Sequence, residues 1–362
     1  MSKKNYSIII GSGSYIPTRI VKNTDFINNE FYGPDGLKLT KSNQIIIDQF
    51  EQITGIQERR YVTDDLLTSD IASLAAREAL TASKIDPETL DYIIVAHNFG
   101  DVSIGNSYTD MVPALASRVK NQLGITNPDT VAYDLPFGCA GWLQGVIQAD
   151  GYIRSGDAKR VLIIGAETLS RICDPHDRDS MIYADGAGAV ILAATESEEP
   201  VGIISHATKS YANELTYVLK MCKSAHPEYT GDRLFLKMQG RKLYEHVLKI
   251  VPGAIKECIT KAGLSIEDMD KLLIHQANNK MDEAVLKQLF ELYDIKSPSI
   301  DIMPMTIAWL GNSSVATLPT LYDLIERGQF EGQGFTPGKM MVFAAVGAGV
   351  NVNAVVYKIP AN

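Results

Sequence analysis

Residues 75–96 read AAREALTASKIDPETLDYIIVA, and residues 254–275 read AIKECITKAGLSIEDMDKLLIH. The two align without a gap at an offset of 179, about half of the 362-residue chain. Five of the 22 positions are identical, and others exchange like for like: Arg77 with Lys256, Leu80 with Ile259, Ile94 with Leu273. Each segment is a helical pattern, a short acidic turn and an apolar run suited to a buried parallel strand. A second pair of units repeats in the same order. Gly138 to Gly165 gives a turn, a helix ending at Ser155-Gly156 and the strand Arg160–Ile164. Gly311 to Ala345 gives a turn, a helix ending at Arg327-Gly328, a longer loop and the strand Met340–Ala344. The offset drifts from 173 to 180, which one extra loop explains. Two units repeating in order near half the length predict an internally duplicated α/β fold, rather than chance likeness between amphipathic segments. Both halves are expected to be rich in parallel strands. The acidic, proline-ended stretch Thr195–Pro200 is the best break, giving halves at 1–198 and 199–362.

Composition narrows the function. Apolar residues make up 45% and charged residues 21%, as in ordinary globular proteins. Lys plus Arg total 34 against 43 Asp plus Glu, a formal net charge of −9. That balance argues against broad binding to nucleic acid or to an anionic membrane. No apolar window of about 20 residues predicts a membrane span, and the three isoleucines before Gly11 are too short for a signal-peptide core. The four cysteines, Cys139, Cys173, Cys222 and Cys258, contain no CxxC pair, so neither a disulfide framework nor a structural zinc site is expected. A reduced, cytoplasmic protein is the expectation.

Four places carry residue types with chemistry. Cys139 follows the strand-like run Val131–Leu135 and a Pro/Gly turn, and precedes a helical pattern. A helix N-terminus there would stabilise a thiolate, and Gly138, Ala140 and Gly141 would let a substrate approach; the alternative is a buried structural cysteine. His275 ends the apolar run Leu272-Leu273-Ile274, at the strand end where open α/β sheets bind ligands; a satisfied core histidine is the alternative. Gly311-Asn312-Ser313-Ser314 is the duplicate of the Cys139 turn. In a pseudo-twofold fold the two turns face each other, so Asn312 points its amide at Cys139, unless it serves only as a helix cap. Gly347-Ala348-Gly349 follows a buried strand, where backbone N–H groups can approach an oxyanion, or where a tight hairpin forms.

Other signals are weaker. Gly11-Ser12-Gly13 lacks the third glycine of a dinucleotide loop, and Pro17 blocks the helix that should follow. Asp174–Asp179 has metal-ligand types without convergent spacing and reads as a solvated loop. Asp185–Val190 lacks the lysine of a phosphate loop and reads as a strand or turn needing close packing. His206 to Leu236 fits neither repeat and reads as a lid or substrate loop.

Taken together, Cys139, His275-Gln276-Ala277-Asn278 and Gly311-Asn312-Ser313-Ser314 resemble the β-ketoacyl-acyl carrier protein synthase III family of thiolase-like condensing enzymes. Gly11–Pro17, Thr54-Gly55-Ile56 with Arg59-Arg60, Asp185–Val190 and Met238-Gln239-Gly240 match in order along almost the whole chain. The resemblance implies a duplicated thiolase-like fold, its halves packed as αβαβα layers with the site between them. It implies a Cys139–His275–Asn312 site that needs no metal or cofactor. An acyl thioester loads Cys139, and a malonyl-carrier thioester is then decarboxylated and attacks the acyl group. The backbone at Cys139 and the Gly347-Ala348-Gly349 loop would serve the acyl-transfer oxyanion. Gly240 and Asn278 would hold the pantetheine arm, Lys280 would meet an acidic carrier protein, and two chains would pair as a homodimer.

The sequence also departs from that family. Gln49 and Ile53 stand where members using small acyl-CoA primers have Trp and Arg, and Phe31–Gln49 is longer than usual. An acyl-carrier donor is therefore expected to outperform the matching acyl-CoA. The last loop reads Gly-Ala-Gly-Val-Asn rather than a glycine run followed by Phe-Thr. Relatives that make resorcinol- or quinolone-type products, or that transfer acyl groups without decarboxylation, are alternatives. A non-catalytic partner subunit is disfavoured, because all three polar residues are kept.

Overall fold

In the computed structural model, which describes residues 3–106, 108–296 and 298–361, two mixed sheets face each other across a pair of helices. The first half contains β1 (Lys4–Tyr15), β2 (Arg19–Lys22), α1 (Asn43–Thr54), β3 (Glu58–Tyr61), α2 (Thr68–Ser83), β4 (Tyr92–Ala96), α3 (Leu115–Leu123), β5 (Val131–Leu135), α4 (Gly141–Ser155), β6 (Arg160–Thr168) and β7 (Asp185–Ser197). The second contains β8 (Gly202–Ser210), β9 (Leu219–Cys222), β10 (Phe235–Met238), α5 (Gly240–Lys261), β11 (Met269–Ile274), α6 (Asn279–Glu291), α7 (Ile307–Leu310), α8 (Thr317–Glu326), β12 (Met340–Gly347) and β13 (Asn351–Lys358). The main sheets run β5-β4-β6-β7-β1 and β11-β12-β13-β8. Their orders match when β4 is set on β11, β6 on β12, β7 on β13 and β1 on β8; β5 is extra among the described residues. Helices α2 and α3 cover the first sheet, α5 and α6 the second, and α4 and α8 lie between them. This is the αβαβα order of a thiolase-like fold.

The sheets are less parallel than the sequence pattern suggests. β4 pairs parallel with β5 and β6, and β11 with β12. The remaining pairings in both sheets are antiparallel. The reason is that β7 and β13 turn back beside β6 and β12 with no intervening α-helix to carry a crossover.

The glycine-rich start has a packing role. α2 buries Ile71, Ala72, Ala75, Ala76, Ala79 and Leu80, one helical face built largely of alanine. β1 lies directly on that face. A Cβ on Gly13 would sit 2.4 Å from the Ala75 carbonyl oxygen, and one on Gly11 would sit 2.6 Å from that of Ala79.

The duplication extends to buried polar ties. In α4, Asp150 accepts from Ser7 Oγ at 2.7 Å and pairs with Arg154 Nε at 2.8 Å. In α8, 173 residues on, Asp323 accepts from Ser12 Oγ at 2.8 Å and Ser14 Oγ at 2.6 Å, and pairs with Arg327 Nε at 2.8 Å. Both carboxylates are buried and anchor their helix to β1. Around them Trp142, Leu143 and Val146 of α4 pack with Leu318, Leu321 and Ile325 of α8 in one core between the sheets. Truncating one of these leucines to alanine costs about 2–5 kcal/mol.

Candidate active site

β5 ends at Leu135, and Gly138–Ala140 forms a single 3₁₀ turn that runs straight into α4. Gly138 has φ +62, a left-handed conformation that disfavours any side chain. The turn is also wedged against the β12–β13 loop. A Cβ on Gly138 would lie 2.3 Å from the Ala348 nitrogen, and one on Gly347 would lie 2.5 Å from the Cys139 nitrogen. The backbone N–H groups of Cys139 and Ala348 are therefore close neighbours. Burial pushes the Cys139 thiol up to about 11, and a hydrogen bond from Ser314 Oγ, 3.3 Å from Sγ, opposes that shift. Burial is the largest influence on the sulfur, and the Ser314 hydroxyl and a backbone N–H act against it.

His275 follows β11 directly, and its backbone N–H donates to Ala344 of β12 at 2.8 Å. Burial pushes the imidazole down to about 4, so it is neutral at physiological pH. Its Nδ1 is buried without a hydrogen-bond partner. The next residue anchors the strand end. Gln276 Oε1 accepts from Thr306 N–H at 2.8 Å and Ile307 N–H at 3.0 Å, and its Nε2 donates to the Pro304 carbonyl at 3.0 Å. Asn312 belongs to the second half but is sewn to the first. Its N–H donates to the Ile182 carbonyl at 3.0 Å, and its carbonyl accepts from Ala184 N–H at 2.8 Å. Its Oδ1 accepts from Ser314 N–H at 2.8 Å, which leaves Nδ2 as the free end of the amide.

Cys139, His275 and Asn312 line one cavity of about 90 Å³, walled by apolar residues that include Phe99, Leu169, Leu236 and Met281. Gly347 and Ala348 lie on its wall; Gly349 does not. A larger groove of about 1150 Å³ adjoins it at Met238, which lines both. The groove is bordered by Tyr32 to Leu39 and carries Arg178, Lys220, Lys223, Arg241 and Lys242. Gly240 lines the groove. Asn278 instead caps α6, its Oδ1 accepting from Met281 N–H at 3.1 Å, and exposed Lys280 lines neither cavity. Gln49 and Ile53 line neither: Gln49 accepts from Lys41 Nζ at 2.9 Å, and Ile53 is exposed.

Two stretches differ from their sequence reading. His206–Ser210 is the end of β8, not part of a lid. Beyond it β9 and β10 form a ribbon whose Leu219, Leu236 and Met238 wall the cavity. Asp174 is 1% exposed rather than solvated. It takes Lys237 Nζ at 2.5 Å, Ser224 Oγ at 2.9 Å and the Ala225 N–H at 2.6 Å, and so pins the β9–β10 loop to the first half. No local pattern signals this tie, because Lys237 is 63 residues away. Sequence reasoning also left Gln276 and Ser314 without roles, although both stand inside quoted motifs.

The model of 3-oxoacyl-[acyl-carrier-protein] synthase III matches residues 133–212, and that of its C-terminal domain matches residues 259–359. The β-ketoacyl-[acyl-carrier-protein] synthase III of Thiobacillus denitrificans is 34% identical over 350 residues, covering 93% of this chain and 99% of that protein. The protein of the same name from Mesorhizobium japonicum is 32% identical over 348 residues, covering 93% and 98%. Among solved structures, 3-oxoacyl-(acyl carrier protein) synthase III from Pseudomonas aeruginosa PAO1 matches with a TM-score of 0.79 at 25% identity, over 98% of each chain.

Proposed function

The chain belongs to the β-ketoacyl-[acyl-carrier-protein] synthase III family of condensing enzymes, and from that premise we propose that Cys139, His275 and Asn312 carry out its acyl transfer and decarboxylative condensation. The observation that carries this assignment is their convergence, from separate elements of both halves, on one apolar-walled cavity.

The Cys139 sulfur attacks the carbonyl of an acyl thioester. The C–S bond to the carrier breaks, and the thiol proton leaves with the carrier thiol. Backbone N–H groups of Cys139 and Ala348, neighbours at the turn, face the oxyanion of that step. A malonyl-carrier thioester then loses carbon dioxide, and negative charge develops on its carbonyl oxygen. The neutral His275 ring and Asn312 Nδ2 donate to that oxygen, each lowering the barrier by about 2.7–4 kcal/mol. The enolate carbon attacks the acyl group, a C–C bond forms as the C–S bond to Cys139 breaks, and the released thiolate takes a proton from solvent. Neither donor changes protonation state.

The groove adjoining the cavity at Met238 is lined by acids as well as cations, Arg178 pairing with Asp179 and Arg241 with Glu245, and its Lys220, Lys223 and Lys242 suit the phosphate-bearing arm of an acyl-CoA or acyl-carrier thioester. Homodimer formation is part of the same reading. Among the described residues β5 is a free sheet edge, and Val131 on it, with Tyr108 and Val112 in the loop before α3, is exposed. Among the described residues no helix is long and apolar enough to cross a membrane, and we place the enzyme in the cytoplasm on the family premise.

The test is intact-protein mass after incubation with a panel of acyl-CoA and acyl-carrier thioesters, followed by peptide mapping. Acyl mass on the Cys139 peptide is expected. Label on another cysteine that survives Cys139→Ala would overturn the mechanism. Light scattering at micromolar protein should give twice the 39.6 kDa chain mass; a value near one chain would remove the dimer.

A further inference from the structure

Four residues form a hydrogen-bonded line ending on the sulfur. Glu167, near the end of β6, is fully buried. Its Oε2 accepts from Asn98 Nδ2 at 2.6 Å, and its Oε1 accepts from the Asn98 N–H at 3.3 Å. Asn98 Nδ2 also donates to Ser314 Oγ at 3.3 Å, and Ser314 Oγ donates to Cys139 Sγ at 3.3 Å. The first member sets every direction along this line. A carboxylate can only accept, so Asn98 must turn its NH₂ group toward Glu167. That group has two hydrogens, one for Glu167 and one for Ser314. A hydroxyl that accepts from Asn98 keeps its single proton for the sulfur.

The geometry points to Glu167, Asn98 and Ser314 as a positioning relay that aims the Ser314 proton at Cys139 and holds it there while the sulfur is negative. No proton travels along the line, because the Asn98 amide donates at both ends. What passes from Glu167 is orientation alone, since its charge opposes a negative sulfur; only Ser314, which accepts from Asn98 and donates to Cys139, passes polarisation on. Ser314 is held for this purpose in a left-handed conformation, φ +55, by its N–H bond to Asn312 Oδ1. The other titratable groups around the sulfur are Glu167, His275 and Tyr183. Glu167 in turn faces His97 and Asp185, and burial raises it to about 7. The relay is therefore best measured at pH 8, where Glu167 is ionised.

The relay rests on Cys139 being the nucleophile, yet its test needs no substrate. Iodoacetamide alkylation of Cys139 is followed in the full-length protein by peptide mass between pH 6 and 9. Ser314→Ala should displace the rate curve by about one pH unit, a tenfold slower reaction at pH 8. Ser314→Gly, which accepts φ +55 without strain, should do the same and covers the case in which the alanine variant misfolds. Asn98→Ala should slow the reaction about threefold. The double variant N98A/S314A should be no slower than S314A alone, because Asn98 acts through the hydroxyl. An equal Asn98→Ala effect in both backgrounds would overturn the relay, as would an S314G rate curve superimposed on that of the unmodified protein. Failure of acyl transfer would instead appear as absent acyl mass on Cys139, with the alkylation comparison intact.

Discussion

The Gly138-Cys139 turn and the Gly311-Asn312 turn lie 173 residues apart, at equivalent places in the two halves. One presents a sulfur and the other an amide. The strand ends differ in the same way: Ala96 closes β4, and its partner at offset 179 is His275, just past β11. What both halves keep is framework: a glycine at positive φ opening each turn, a central helix behind it, and a buried Asp–Arg pair tying that helix to β1. What they do not share is chemistry. A second contrast sharpens this one. His97 and His275 are both buried at sheet ends. His97 Nδ1 accepts from the Gly100 N–H at 3.0 Å, and its Nε2 stands 3.0 Å from Asp134 Oδ2. His275 Nδ1 has no partner. His97 Nε2 makes no well-aligned hydrogen bond either, so the contrast rests on the Asp134 carboxylate beside His97 and on the place of His275 in the cavity wall.

The comparison breaks first at the sulfur. Cys139→Ala should abolish acyl loading, measured by intact mass, while Cys173, Cys222 and Cys258 stay unlabelled. His275→Ala and Asn312→Ala should each slow malonyl decarboxylation by about 10²–10³-fold, with part of the loading kept, because loading relies on backbone N–H groups. An Asn312→Ala enzyme that loads poorly and decarboxylates normally would reverse the roles of the two turns. His97→Ala should do the opposite of His275→Ala: it removes Asp134's partner and lowers unfolding stability by about 3 kcal/mol in urea titrations, while loading per folded molecule stays within a few-fold. The smallest effect is acid sensitivity. His275 is held at about 4 when folded, against an ordinary imidazole value of 6.5. The unfolded chain therefore binds a proton that the folded one refuses, and the contribution is complete above pH 6.5 and lost as pH falls from 6.5 toward 4. At pH 5 the loss is about 2 kcal/mol, and His275→Ala should remove that part of the urea-midpoint shift between pH 7 and pH 5. The same neutral ring predicts a decarboxylation rate independent of His275 ionisation from pH 6 to 8.

Much of this arrangement could be read before any coordinates. Helix, turn and buried strand repeated in order, and periodicity is a local property, so α2–β4 and α5–β11 were visible as a pair. Cys139 and His275 were visible because each ends a strand-like run. The positioning groups were not. Asn98 and Glu167 lie on neighbouring strand ends, where a polar residue is unremarkable until its tertiary partner is known. Asp174 read as solvated for the same reason. The antiparallel return of β7 and β13 was hidden too, because an apolar run buried on both faces does not disclose its direction.

Ser314 shows where stability and function pull apart. A non-glycine residue at φ +55 costs on the order of 1 kcal/mol or more, and glycine there would relieve it. Selection for heat tolerance alone would favour that substitution and discard the hydroxyl facing Cys139. An engineered thermostable variant of this enzyme should be screened for turnover at each round, because at this position a higher melting temperature and a competent nucleophile are alternatives.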